Sequence, residues 1–227
     1  MKKIMSLMIM LFIGLSVFAQ VDRGLIEKAK AREASDPEAT KILDAVNEKY
    51  DAMESMQVEF KLTIKGENES IQEGKMTLKG DRYRLELANQ DVICNGKTVW
   101  FHLKDNKEVQ INNPDTDGED FLSPTKILSV YQENMVGQKL DDTKIDGRVV
   151  HQIEIKPRES HDEITKLRVT IDKKTNELVK VIVFTRYADR YIFEFTDLVE
   201  NPKLSNILFN FDVAKFPGHH VEDLRIE

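Results

Sequence analysis

Strict alternation of apolar and polar residues is the strongest pattern in the chain. In QVEFKLTIK, residues 57–65, Val58, Phe60, Leu62 and Ile64 are separated by polar or charged residues. A period of two is typical of a strand with one buried face. The pattern recurs along the chain and predicts further strands: 74–80, 81–89, Asp91–Cys94, Thr98–Leu103, Glu108–Ile111, Val149–Lys156, Thr165–Asp172, Leu178–Thr185, Tyr191–Leu198 and Val221–Ile226. Turn residues between closely spaced strands favour an antiparallel meander.

Two stretches have helical spacing instead. The segment after Asp36-Pro37 carries one apolar stripe with spacings of three and four: Ile42, Leu43, Val46, Tyr50 and Met53. Pro37 suits the first turn of a helix, so the stripe predicts an amphipathic helix that begins there. A charged, alanine-rich stretch, LIEKAKAREA, precedes it. The second amphipathic element, FLSPTKILSVYQE, covers residues 121–133.

These elements predict an α+β protein that is mainly antiparallel β. About eleven strands each present one apolar face, and only two or three helical pieces can cover it. A sheet of this size curls, so we expect a half-barrel or barrel with helices closing the open side. The interior can be filled by side chains or by an apolar ligand, and the pattern favours neither.

The first 19 residues have the layout of a secretory signal peptide. Lys2 and Lys3 precede an apolar stretch that ends at Ala19, which predicts cleavage there and a single domain over residues 20–227. The net charge of −7 argues against nucleic acid and against a general attraction to anionic lipid surfaces. Cys94 is the only cysteine and lies in an apolar run, so we expect a buried structural thiol.

The sequence offers little chemistry that would support catalysis. GxSxG, HExxH, CxxC, glycine-rich phosphate loops and calcium-loop signatures are missing from the sequence. His219 and His220 are adjacent on a predicted strand and would point to opposite faces, which disfavours a shared metal. We therefore expect no enzyme, no cofactor and no metal.

The order of motifs along the chain favours an interior that binds an apolar ligand. Behind the leader and a helix come SMQVEF, QEGKMTL and NGKTVWF, then an SPxxIL helix start, and finally FNFDV and FPGHHVEDLR. This order resembles the LolA family of periplasmic carriers, which move lipoproteins from the inner to the outer membrane of Gram-negative bacteria. The similarity lies mainly in residues 55–131 and 209–225.

The resemblance implies a half-open β-barrel closed by an α-helical lid, with an apolar cavity for acyl chains. It would place these side chains in the cavity: Val58, Phe60, Leu62, Met76, Leu78, Tyr83, Leu85, Leu87, Val99, Phe101, Leu103, Leu122, Ile127 and Leu128. The family holds its lid with an Arg-Pro pair that is missing here, which leaves Arg82 or Arg84 as candidates for a lid latch.

The resemblance also implies a monomeric, periplasmic protein with several partners. These are acylated lipoproteins, an inner-membrane release transporter, and an outer-membrane acceptor or the outer membrane itself. Two alternatives stay open. One is a related half-barrel that binds lipid or senses lipoproteins without a shuttle role. The other is a hydrolase or polysaccharide-binding β protein, which would need a polar cleft.

Overall fold

The computed structural model describes residues 35–114, 135–157 and 164–225 of the 227-residue chain. Within these ranges one helix, α1, covers Pro37–Asp51. Two short 3-10 helices, η1 and η2, cover Asn206–Phe209 and Val213–Lys215. Thirteen strands form a single sheet: β1 Ser55–Lys65, β2 Glu69–Lys79, β3 Arg82–Leu87, β4 Gln90–Cys94, β5 Val99–Leu103, β6 Glu108–Asn112, β7 Met135–Lys139, β8 Thr143–Ile145, β9 Arg148–Pro157, β10 Ile164–Asp172, β11 Leu178–Thr185, β12 Arg190–Glu200 and β13 His220–Asp223.

Helix α1 begins where the sequence predicts. The Asp36 carboxylate accepts a hydrogen bond from the Glu38 backbone N–H at 2.9 Å, and Pro37 occupies the first turn. This cap satisfies one of the amide donors that a helix start leaves without an internal partner. The predicted apolar stripe faces the sheet, with Leu43 and Val46 fully buried.

The sheet consists of two meanders joined side by side. Strands β1 to β6 lie in chain order in one half, and β7 and β9 to β12 make up the other half, with β8 paired to β9. The halves meet where β1 pairs antiparallel with β12. The final strand, β13, adds parallel to β6. The rest of the ladder is antiparallel, which confirms the mainly antiparallel class.

The predicted number of strands is wrong. The sequence pattern predicted about eleven strands, whereas the described sheet has thirteen, because β7 and β8 lack clear alternation. Asp146 and Gly147 connect β8 to β9 with φ values of 48° and 79°. Two consecutive residues in this left-handed region form the tight turn that matches the twist of a hairpin.

The C-terminal segment, residues 201–223, crosses the outer face of the first half of the sheet. It begins beside β1, where the Ser55 hydroxyl donates to the Pro202 carbonyl at 2.9 Å. It ends as β13 on the edge of β6. Between these points Phe209 is fully buried. The outer face of β2 to β6 is therefore covered by irregular chain rather than by a long helix.

Three predicted features lie outside the described residues. These are the signal peptide over residues 1–19, the LIEKAKAREA stretch, and the second helix over 121–133, which carries Leu122, Ile127 and Leu128. Among the residues described, no helix has the length and apolar character needed to cross a bilayer.

Candidate functional site

The inner face of the sheet, defined as the face toward α1, forms one continuous apolar cluster. Both halves of the sheet contribute to it, and so does the buried side of α1 through Leu43 and Val46. A sheet whose distant strands share one core must curl around that core. The cluster includes the following buried residues: Met56, Val58, Phe60, Leu62, Met76, Leu78, Leu85, Leu87, Val92, Cys94, Val99, Ile153, Ile155, Leu167, Val169, Ile171, Leu178, Val181, Val183 and Phe193.

The structure brings together the cavity residues predicted from β1 to β5. Eight are buried members of the inner-face cluster: Val58, Phe60, Leu62, Met76, Leu78, Leu85, Leu87 and Val99. Tyr83 and Phe101 are partly buried and pack against it. Leu103 is partly exposed and follows Phe101 by two positions on the same strand, so it lies on the same face. Their contact with lipid stays a prediction.

Burial varies along the inner face. In the half beneath α1, Leu167, Val169 and Ile171 are 0% exposed. In the other half Tyr83 and Phe101 remain partly exposed. Partly exposed side chains that pack against the cluster occur in the half beneath α1 as well, among them Ile164, Tyr191 and Phe195, so an incoming apolar group could reach the inner face from either half.

Three phenylalanines form the aromatic centre of this face, at the seam between the halves. The Phe60 ring centroid lies 5.7 Å from that of Phe193 and 6.3 Å from that of Phe195. The Phe193 and Phe195 rings are stacked at 6.3 Å with 11° between their planes. The predicted site lacked both β12 residues, although the alternating stretch from Tyr191 to Phe195 contained the signal for them.

Tyr50 supplies a polar group to the otherwise apolar cluster. Its hydroxyl accepts a hydrogen bond from the Leu178 backbone N–H at 3.2 Å. Burial raises the pKa of Tyr50 above its ordinary value. The hydroxyl therefore stays neutral at physiological pH and ties the end of α1 to the start of β11 without placing a charge against the apolar face.

Arg82 and Arg84 point away from this cluster, onto the outer face. Arg82 Nη1 donates to Asn206 Oδ1 at 2.8 Å, and Arg84 Nη1 donates to the Leu208 carbonyl at 3.4 Å. Both contacts hold the C-terminal segment. The lid-latch role of these arginines stays a prediction, because the predicted lid lies outside the described residues.

Strand β5 is packed on both sides, as its two aromatic faces suggest. Val99 and Phe101 belong to the inner side. On the outer side the His102 ring lies 5.2 Å from Phe211 and 4.5 Å from Phe216, both in the C-terminal segment. Irregular chain with 3-10 turns therefore covers this side of the strand.

The fold and the site together define a single-sheet α+β protein built around an extended apolar inner face. The sequence pattern of the family described as outer membrane lipoprotein carrier protein LolA matches residues 51–212. This match covers more than half of the chain. The chain therefore belongs to the LolA family.

A solved structure supports the fold. An uncharacterized conserved protein from Thermus thermophilus matches with a TM-score of 0.53 and 11% identity, covering 82% of this chain and 99% of that one. Two further structures are less similar. A LolA superfamily protein from Nitrosomonas europaea matches at 0.41 and 11%, over 76% and 97%. The Mycobacterium tuberculosis lipoprotein LppX matches at 0.49 and 13%, over 75% and 100%. No curated protein matches the chain.

Proposed function

We propose that this protein is a periplasmic carrier that binds the acyl chains of lipoproteins on its inner face. The observation that supports this most directly is the single apolar cluster, which extends across both halves of the sheet and is flanked by partly exposed apolar residues such as Tyr83, Phe101 and Phe195. The family to which the chain belongs is described as an outer membrane lipoprotein carrier. The half-open barrel and the helical lid are parts of the same proposal.

A carrier of this kind has to replace the water-free environment that a membrane gives to acyl chains. Moving a chain into water costs about 0.8 kcal/mol per CH₂, which is on the order of 10 kcal/mol for a long acyl chain. Aliphatic and aromatic side chains offset this cost without a cofactor. The Phe60, Phe193 and Phe195 rings add a flat, polarisable surface at the seam.

Acyl chains would first contact the partly exposed side chains of the β1 to β5 half. These are Tyr83, Phe101 and Leu103. Leu122, Ile127 and Leu128 on the predicted second helix would cover the bound chains from the other side. In this proposal residues 1–19 direct export, an inner-membrane transporter loads the carrier, and an acceptor or the outer membrane unloads it.

The experiment that tests this function is release of a triacylated lipoprotein from inner-membrane vesicles. We expect the protein, purified in its exported form, to recover the lipoprotein in a soluble one-to-one complex. Phe101→Glu places a carboxylate against the acyl site and should weaken the complex by about tenfold or more, since burying an unpaired charge is costly. Val199→Glu is the matched control, because Val199 is 44% exposed.

The outcomes distinguish two functions from an inner face that binds no lipid. Release that Phe101→Glu reduces and Val199→Glu does not supports the carrier. Binding of free acyl probes without release of lipoprotein points instead to a lipid-binding or lipoprotein-sensing module without a shuttle role. If neither binding nor release occurs while circular dichroism shows a folded β protein, the inner face is ordinary core and the proposal is wrong.

A further inference from the structure

The outer surface carries a pair of consecutive, exposed, large apolar side chains. Ile207 is 79% exposed and Leu208 is 41% exposed. The other exposed large apolar residues in the described ranges are not adjacent in sequence: Ile71, Val149, Tyr187, Val199, Val221 and Leu224. Single exposed apolar residues are common on protein surfaces, whereas a pair on one turn needs an explanation.

The turn that carries the pair is fixed from beneath. Phe209 follows directly and is 0% exposed, so it anchors η1 to the sheet. The Arg82 guanidinium lies 5.7 Å from the centre of the Phe209 ring and donates to Asn206. Arg84 donates to the carbonyl of Leu208 itself. Because the backbone is held by these contacts, the two side chains are displayed to solvent by an ordered turn.

A cleft of about 490 Å³ lies in the chain that leads into this turn. Lys79 crosses beside it and donates from Nζ to the Leu204 carbonyl at 3.3 Å. The residues that line the cleft are Glu54, Ser55, Lys79, Asn201, Pro202, Lys203, Leu204 and Ser205.

Several cationic side chains lie around the cleft and the turn that carries Ile207 and Leu208, although the whole chain has a net charge of −7. Two lysines line the cleft and two arginines hold the turn: Lys79, Lys203, Arg82 and Arg84. The carboxylates in the same contacts are Glu54, in the cleft lining, and Glu86, which pairs with Arg84 at 3.2 Å. Asp81, in the turn between Lys79 and Arg82, adds a third carboxylate, so four cations face three carboxylates. The local charge is therefore slightly positive, whereas that of the protein is negative.

We propose that this surface docks the protein on an anionic phospholipid bilayer. Ile207 and Leu208 enter the interfacial region, and the lysine-lined cleft faces the lipid phosphates. Two exposed side chains are far too few for a stable protein interface, which buries about 800 Å² on each partner. They suit weak, reversible anchoring, in which apolar insertion and attraction to anionic lipid act together.

This docking surface is separate from the inner face and does not depend on the proposed acyl site. It is a local exception to the weak attraction to anionic lipid that the net charge predicts. A protein that is acidic overall and basic at one small surface would approach an anionic membrane in a preferred orientation. The turn at Ile207 would then define the side of the molecule that faces the bilayer.

The test is flotation with vesicles, using the protein in its exported form. Vesicles of phosphatidylethanolamine with phosphatidylglycerol present anionic phosphates, and phosphatidylcholine vesicles present a zwitterionic surface of similar thickness. We expect binding to the anionic vesicles that is at least about fivefold stronger than to phosphatidylcholine and that weakens with added salt. The double variant Ile207→Ser/Leu208→Ser should reduce it by about tenfold, and Lys203→Gln by about threefold.

Ile71→Ser is the matched control, because Ile71 is 60% exposed on β2 and lies outside the docking surface. It should leave flotation unchanged. Flotation that the double variant does not reduce, or no flotation with either vesicle, overturns the docking proposal, and a protein partner for this turn would then be the next explanation. Acyl binding measured on the same double variant should stay at the wild-type level, so failure of docking and failure of the carrier function are distinguishable.

Discussion

The ring of Phe60 occupies the space that a side chain at residue 74 would need. Phe60 and Gly74 are direct partners across the β1–β2 pair. A Cβ placed on Gly74 would lie 2.3 Å from Phe60 Cζ and 2.8 Å from Leu87 Cδ2. Glycine in β2 therefore lets the central aromatic ring of the inner face lie flat across the neighbouring strand.

Gly74→Ala should accordingly destabilise the protein by about 1–3 kcal/mol, since the added methyl group overpacks a filled core. Urea unfolding measures this. In a Phe60→Leu background the cost should fall by more than about 1 kcal/mol, because the clashing ring is gone and neighbouring residues couple. An equal cost in both backgrounds would show that the Phe60 ring does not decide the identity of residue 74, and that Leu87 or the backbone does.

Asp36 should stabilise both α1 and the edge of the sheet. One carboxylate oxygen caps the helix, the other accepts from the Lys139 backbone N–H at 3.2 Å, and the Asp36 N–H donates to the Gly137 carbonyl at 2.8 Å. Asp36→Ala should cost about 2 kcal/mol through the lost cap and an unpaired amide in β7. Asp36→Asn keeps one acceptor and should cost about half as much.

The measurement is again urea unfolding, with Asp44→Ala as the control. Asp44 is an exposed residue of α1, and its replacement should change stability by less than about 0.5 kcal/mol. Equal losses for Asp36→Ala and Asp36→Asn would mean that the contact with β7 dominates and the helix cap contributes little.

Phe216 should hold the C-terminal segment on the outer face. Its ring lies 4.5 Å from the His102 ring and is stacked on Phe211 at 4.9 Å with 7° between the planes. Phe216→Ala should release the following strand, so hydrogen exchange of the β13 amides should accelerate by about tenfold or more. The informative amide is that of His220, which donates to the Lys107 carbonyl at 2.8 Å.

Tyr187→Ala is a suitable comparison, since Tyr187 is 74% exposed and its replacement removes an aromatic ring far from β13 in sequence. It should leave exchange in β13 unchanged. If Phe216→Ala also leaves it unchanged, β13 is held by its pairing with β6 alone.

Protonation of Glu154 should lower the stability of the folded protein at acid pH. Burial opposes ionisation of this carboxyl, but hydrogen bonds from Lys156, Lys166 and Arg168 outweigh it and lower its pKa from 4.5 to about 2. A carboxyl whose pKa is lower in the folded state stabilises the fold above its unfolded pKa, and that contribution is lost as the pH falls toward the folded value. The window is therefore from about pH 4.5 down to about pH 2.

Thermal unfolding across this window checks the prediction. Wild-type Tm should fall more steeply than that of Glu154→Gln, and the two curves should converge at the acid end, where the wild-type carboxyl is also neutral. Parallel curves would assign the acid sensitivity to other carboxylates, such as Asp142, whose pKa is lowered by hydrogen bonds from His151 and Lys173.

Alternation predicted most of the sheet because most strands bury one face. Strand β10 is an example, with Leu167, Val169 and Ile171 buried on the inner side. Strand β7 was not predicted, because MVGQK has a central glycine and only two apolar residues. The strand is held in place by its pairing with β9 and by its contact with Asp36. The Asp146-Gly147 hairpin signal was present in the sequence and would have placed β8.

Only the inner side of the candidate site could be predicted from the sequence. The inner residues of β1 to β5 follow from alternation, as do Phe193 and Phe195 once β12 is included. The packing of His102 against Phe211 and Phe216 could not be predicted from the sequence. The segment that carries the two phenylalanines has no clear periodicity, and more than 100 positions separate it from His102. Contacts of that kind are decided by tertiary packing and not by local pattern.

The pairing of β1 with β12 also has a consequence for the order of folding. Glu59 and Thr196, which are bonded across this seam, are 137 positions apart in the chain. Loop closure over such a distance is slow compared with the formation of neighbouring hairpins. A polypeptide that emerges N-terminus first exposes one side of β1, with the Phe60 ring beside it, until residues 190–200 have followed. Assembly of the whole inner face is therefore among the last events of folding, and a chain truncated before β12 would be prone to aggregation through that uncovered strand.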